Sequence, residues 1–277
     1  MLAACGGGSG ATIANVSGNT SNLRIVNGVS GVAGVGNVDV YFQSTGSPSP
    51  TQTIVSNLAF GTASDYLTQP AVAGSVIVQH AGGGSPSGGT AQLASCPIPQ
   101  MAINAKYSVV LVRTNGAVNC ELFQDFDYTA SPQYRAHDAS PNSALAAGAG
   151  FGTEATPSAP PGSTFAVQTA GAQGALAAGN APATAYTAAQ PNGISAFTGS
   201  ITFAVSAQTS GSATALATLD SRYIFSPNGT SQPNSSGALN FTGSAGTSIF
   251  AIDCTTNVAP NVPCTSGVAL VGFTDRL

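Results

Sequence analysis

Two short stretches decide how this chain is read: Val38-Asp39-Val40-Tyr41-Phe42 and Tyr107-Ser108-Val109-Val110-Leu111-Val112. The first alternates, which places Val38, Val40 and Phe42 on one face of an extended segment. The second is a short apolar run ending just before Asn115-Gly116, a strong hairpin signal, and fits a buried or half-buried strand. Similar runs recur from Leu23 onward, at Val76–Val78, Leu122–Phe123, Phe165–Val167, Ile201–Val205, Tyr223–Phe225, Ile249–Ile252 and Val268–Phe273. No segment carries a convincing helical stripe, and 17 prolines and 34 glycines interrupt what remains. The piece Ala144–Ala149 has the composition for one turn of helix. Many short strands between frequent turns predict an all-β chain of antiparallel, immunoglobulin-like sandwiches.

At 277 residues there is room for one large β domain or two of ordinary size. Charged residues make up 6% of the chain against 43% hydrophobic. Average domains carry about a quarter charged residues, so the surface here must be solvated by Ser, Thr, Asn and Gln, as in extracytoplasmic proteins. The hydrophobic content argues against intrinsic disorder. No run approaches the roughly 18 apolar residues of a membrane-spanning helix. The six basic residues, Arg24, Lys106, Arg113, Arg135, Arg222 and Arg276, are scattered in a chain of net charge −4. Such a distribution gives a phosphate backbone nothing to bind, and nucleic acid is not an expected partner.

Five cysteines divide as one plus four. Leu2-Ala3-Ala4-Cys5 resembles the lipobox of bacterial lipoproteins, in which the cysteine becomes the acylated first residue of the mature protein. The resemblance implies a membrane partner through a lipid on Cys5, with Gly6-Gly7-Gly8-Ser9-Gly10 as a flexible tether. A leader needs a basic segment and an apolar run before the cysteine, so Met1 reads as a mis-assigned start or a truncation within that leader. A free cysteine in an N-terminal tail is the competing reading. The other four cysteines lack CxxC spacing, and with two histidines in the chain a zinc site is a poorer fit than disulfides. Pairing within each half gives Cys96 with Cys120 and Cys254 with Cys264, with buried free thiols as the alternative.

The chain also echoes itself. Arg24-Ile25-Val26-Asn27-Gly28 aligns with Arg135-Ala136-His137-Asp138-Ala139, and Phe60-Gly61-Thr62 recurs as Phe151-Gly152-Thr153. Val78-Gln79-His80-Ala81-Gly82 recurs as Val167-Gln168-Thr169-Ala170-Gly171, and Leu122-Phe123-Gln124-Asp125 has a fainter echo in Phe273-Thr274-Asp275. These matches predict two tandem copies behind a tether at 1–21, with domains at 22–127 and 134–277. Limited proteolysis of such a chain should release two resistant pieces.

Leu23-Arg24-Ile25-Val26-Asn27-Gly28, the Val38–Phe42 strand and Asn57-Leu58-Ala59-Phe60-Gly61-Thr62 resemble the bacterial family known as domain of unknown function 4397. The family opens with Arg-x-x-His-Ala-Ser-Pro-Asp, then Val-Asp-Val-Tyr, then Ala-Phe-Gly-Thr. Asn27 stands at the motif histidine, and the second copy keeps Arg135-x-x-Asp138-Ala139-Ser140-Pro141-Asn142 but lacks the Val-Asp-Val-Tyr strand. The resemblance covers about 22–125 well and 134–277 loosely. It implies a β-sandwich envelope protein, often tandem and lipid-anchored, whose recurring residues are structural.

Candidate chemistry is sparse. His80-Ala81-Gly82-Gly83-Gly84-Ser85 is superficially like an esterase oxyanion loop, but no Gly-x-Ser-x-Gly elbow accompanies it, and an inter-strand loop fits better. Asp125 and Asp127 share a face of an extended segment and, with Asp138, are candidate calcium ligands at the junction; a solvated linker is the competing reading. His137 beside Asp138 lacks a matched nucleophile and reads as a surface histidine. Sequons at Asn15, Asn228, Asn234 and Asn240 are expected by chance in so Asn- and Ser-rich a chain. The expectation is therefore a non-catalytic, cofactor-free envelope module at the bacterial outer membrane, with an envelope protein or glycan as partner. A surface adhesin is the alternative, followed by a hydrolase.

Overall fold

The computed structural model describes residues 18–29, 36–47, 52–82, 92–125, 133–141, 150–156, 177–178, 187–188, 200–206, 216–220, 224, 246–258 and 262–275. Cys5 and the tether as far as residue 17, Asp127, Ala144–Ala149, the Val167–Gly171 echo and all four sequons lie outside them, while β1 begins within the last residues of the expected tether. Strands account for the regular structure of the described residues, and no helix there is long and apolar enough to cross a membrane.

The first half contributes β1 (Thr20–Asn27), β2 (Val38–Ser44), β3 (Gln52–Leu58), β4 (Leu67–Pro70), β5 (Gly74–His80), β6 (Gln92–Ile98), β7 (Lys106–Thr114) and β8 (Ala117–Asp125). They form two sheets, β4-β1-β7-β8 and β3-β2-β5-β6. Alternation along each strand sends Leu23, Ile25, Val38, Val40, Phe42, Val76, Val78, Val109 and Leu111 into one core between them. The second half contributes β9 (Gln133–Asp138), β10 (Gly150–Thr156), β11 (Ala177–Ala178), β12 (Thr187–Ala188), β13 (Ser200–Ser206), β14 (Ala217–Asp220), β15 (Gly246–Asp253) and β16 (Val268–Asp275). Here one sheet runs β11-β9-β15-β16 with β12 also on β9, and the other runs β10-β13-β14.

The sandwich-like, all-β character follows the sequence pattern, but the pairing differs from the expectation. β1 lies parallel to β7, with Arg24 opposite Ser108, and β9 lies parallel to β15, with Arg135 opposite Ser248. In the immunoglobulin order the first two strands share a sheet; here β1 and β2 lie in opposite sheets. Hairpin signals report neighbours in sequence. A parallel pair joining strands some eighty residues apart leaves no such local mark.

The halves also share a core. Val26, Ala63, Val110, Val112 and Phe123 of the first half pack with Ile249, Phe250, Ile252, Val262 and Phe273 of the second. The sheet β4-β1-β7-β8 is thus buried on both faces. This explains why Val109–Val112 is apolar at every position, whereas Val38–Phe42 in the other sheet alternates. On the far side of β16, a Cβ on Gly272 would come within 2.9–3.0 Å of Ile224, Ile249 and Leu219, so the glycine admits β14 to this core.

The strands β1 and β9 begin their halves with the same local geometry. Besides the matched arginine–serine register, Gly28 N–H donates to Leu111 O and Ala139 N–H to Ala251 O, in the same relation to their strands. Phe123 opposes Ser108 as Phe273 opposes Ser248. The Phe-Gly-Thr echo does not hold: Phe60-Gly61-Thr62 is a turn after β3, while Phe151-Gly152-Thr153 runs within β10.

Two disulfides are present, Cys96–Cys120 joining β6 to β8 and Cys254–Cys264 closing the loop after β15. Each lies within one half. Because the halves share an apolar core, cutting an inserted protease site between residues 126 and 132 should leave both fragments associated. They should co-elute in native size-exclusion chromatography and separate in denaturant. Separation without denaturant would mean that the core does not hold them.

Candidate functional site at the junction of the halves

The largest fully buried side chains are Arg24 and Arg135. Arg24 sits one residue out of phase with Leu23 and Ile25, and Arg135 with Ala136, so each points into the junction. Arg24 donates from Nε (3.0 Å) and Nη2 (2.8 Å) to Ser108 Oγ, its neighbour on β7. Arg135 Nε donates to Ser248 Oγ at 2.8 Å, its neighbour on β15.

Asp125, at the end of β8, stands between them. Its Oδ2 accepts from Ser108 Oγ at 2.5 Å and from the Tyr66 hydroxyl at 2.7 Å, and Arg24 Nη2 lies 3.7 Å away. Its Oδ1 faces Arg135 Nη2 at 3.4 Å and His137 Nε2 at 3.8 Å. Arg135 Nη2 also donates to the Tyr66 hydroxyl at 3.1 Å. Aromatic rings wall the cluster: His137 packs 4.4 Å from Phe123 and 5.3 Å from Phe250, and the Arg24 guanidinium lies 4.6 Å over Tyr66. A carboxylate of one half is therefore held by guanidiniums of both.

This arrangement changes three expectations. Asp125 is buried instead of lying in a solvated linker, and the two arginine charges beside it disfavour a calcium ion there. Asp138 lies elsewhere on β9, accepting from Ser140 N–H, and no cluster of three metal-type ligands occurs among the described residues. His137 is fully buried instead of at the surface, since β9 continues through it to Asp138. His80 ends β5 and is half-buried, with the glycine run beyond it outside the described residues.

Other motif residues tie loops to strands. Asp39 accepts from Asn57 N–H at 2.7 Å and Gly82 N–H at 2.9 Å, fixing the bulge in β3 and the turn after β5, where both residues have left-handed φ. Burial and that carboxylate raise the pKa of Tyr41. Asn27 Oδ1 accepts from Val29 N–H at 3.1 Å as Asp138 Oδ1 accepts from Ser140 N–H at 3.0 Å, so the two halves close β1 and β9 with the same turn. Tyr66, Ser108 and Ser248 were not legible as site residues; the available signal was an arginine inside each apolar run of a chain with six basic residues.

At the far end of β9, burial pushes the Asp138 carboxyl up to about 6; the Asp253 and Glu121 carboxylates add to the rise, and the Ser140 N–H opposes it. Burial raises Glu121 as well. Ser140 Oγ donates to Asp253. A raised pKa means that between about 4 and about 6 the native state holds more protons than the unfolded chain, so stability falls as pH rises through that window. Asp138→Asn keeps the turn, as Asn27 does, and should flatten that part of the Tm–pH curve and raise Tm at pH 7. Parallel curves for both proteins from pH 4 to 7 would contradict this.

Compared with known proteins, the chain matches no family model and no curated protein.

Proposed function

We propose that this chain is a lipid-anchored protein of the bacterial cell envelope. In this reading it is built of two tandem sandwich units and acts as a non-catalytic structural or binding module. The observation that carries the reading is where the motif residues are spent. Arg24, Asp125, Arg135 and His137 are 0–3% exposed, and the other three lie within 3.4–3.8 Å of the Asp125 carboxylate at the junction, which leaves these motif residues no open face for a substrate. Buried ionic groups held on both sides serve geometry more readily than turnover.

Several features support the remainder. The two disulfides point to an extracytoplasmic location, and a surface nearly free of charge agrees with it. The matched Arg24–Ser108 and Arg135–Ser248 pairs support duplication of one unit and the likeness to the family numbered 4397. Leu2-Ala3-Ala4-Cys5 supplies the anchor. An envelope protein or glycan is the partner class such a module would serve, at the outer membrane.

The anchor is the testable part. Expressed in bacteria behind a lipoprotein leader joined at Leu2, the protein should incorporate labelled palmitate and partition into detergent, because several acyl chains hold stably where one does not. Cys5→Ala should abolish both. Equal partitioning of the two proteins, with no label in either, would remove the anchor from the proposal.

A further inference from the structure

The shared core has an outlying contact that the Arg–Asp cluster does not explain. The Phe60-Gly61-Thr62 turn is fastened to β1 by Gly61 N–H to Asn27 O and Asn27 N–H to Thr62 O, at 2.7 and 2.9 Å. From there it reaches into the second half. Gly61 has φ +73°, and a Cβ on it would lie 1.8 Å from Val258 Cγ1. Phe60, Val258 and Cys264 all pack against the core common to both halves. Val258 belongs to the loop that Cys254–Cys264 closes. Within that loop Val258 N–H donates to Val262 O at 3.1 Å, and Cys264 N–H to Asn257 Oδ1 at 2.9 Å. The disulfide therefore shapes the socket that receives the first half.

We infer that Cys254–Cys264 is a reducible latch between the two halves, opened by a small dithiol. A cavity of about 300 Å³ gives the reductant a route: its walls are Arg113, Asn115 and Gly116 of the β7–β8 hairpin and Asp253, Cys254, Thr255 and Gly267 of the second half. One thiolate of the dithiol attacks Cys254 Sγ, and Cys264 leaves as its thiolate and takes a proton. The second thiol then attacks the mixed disulfide and frees Cys254. Two electrons pass to the protein, and the reductant departs as a cyclic disulfide. Freed of the crosslink, the loop gains conformational freedom, and Val258 is no longer held against Gly61. Cys96–Cys120 differs in consequence, since it joins β6 to β8 inside the first sandwich and touches no second-half residue of this socket.

The test follows amide hydrogen exchange in the whole chain. Wild-type protein is titrated with dithiothreitol, alkylated, and mapped for which bridge has opened. When Cys254–Cys264 opens, amides of residues 59–62 should exchange at least tenfold faster. The Cys254→Ser/Cys264→Ser protein should show the same change, and Cys96→Ser/Cys120→Ser should not. Val258→Ala, which keeps both bridges, should also speed exchange at 59–62, and it serves if the serine variant fails to fold. Exchange at 59–62 within twofold of the oxidised protein once the bridge is open, or a bridge that resists dithiothreitol until the chain is denatured, would overturn the latch.

Discussion

Asp125 is one carboxylate shared by two halves of a chain. Its own half supplies Arg24, Ser108 and Tyr66, and the other supplies Arg135 and His137. Removing an ion from water costs several kcal/mol, so a group this deeply buried persists only with good partners. Those partners come from four segments, β1, the approach to β4, β7 and β9, and meet the carboxylate at the end of β8. Sliding β9 by one residue would turn Arg135 and His137 to the opposite face and leave the carboxylate with an incomplete shell. The buried charge thus adds to the register that the apolar pattern sets, while Val110, Phe123, Ile252 and Phe273 supply the area that drives the halves together.

A sheet buried on both faces must satisfy two partners at once, and small residues sit where they meet. A Cβ on Gly28 would fall 2.6 Å from Leu111 O and 3.1 Å from Ile252 Cγ2, so β1 could not leave the sheet there with a larger side chain. Gly61 and Gly272 admit neighbours in the same way. The two halves therefore behave as one packed object, and a boundary drawn near residues 126–132 marks chain connectivity more than independence.

How much of this was legible depended on whether the signal was local. Strand positions were, because alternation in Val38–Phe42 and continuous apolar runs in Tyr107–Val112 and Ile249–Ile252 are written within a few residues. The cysteine pairs were, since each lies within one half. The likeness of the segments around Arg24 and Arg135 was visible in the sequence. What the arginines bind was not visible. Ser108, Tyr66 and Asp125 lie 42 to 101 residues from Arg24 along the chain, and nothing local marks them as its partners. The same distance concealed the parallel β1–β7 pairing. It also made His137, flanked by Ala136 and Asp138, read as a surface residue when it is walled in by two phenylalanines.

Asp125 and Arg135 are coupled across the junction. Urea unfolding of the wild type, Asp125→Ala, Arg135→Met and the double variant measures that coupling directly. Each single change should cost about 3–5 kcal/mol, as removal of one partner from a buried pair does. The double variant should cost at least about 1 kcal/mol less than the sum of the two. Effects that add to within about 0.5 kcal/mol, the behaviour of independent sites, would contradict it.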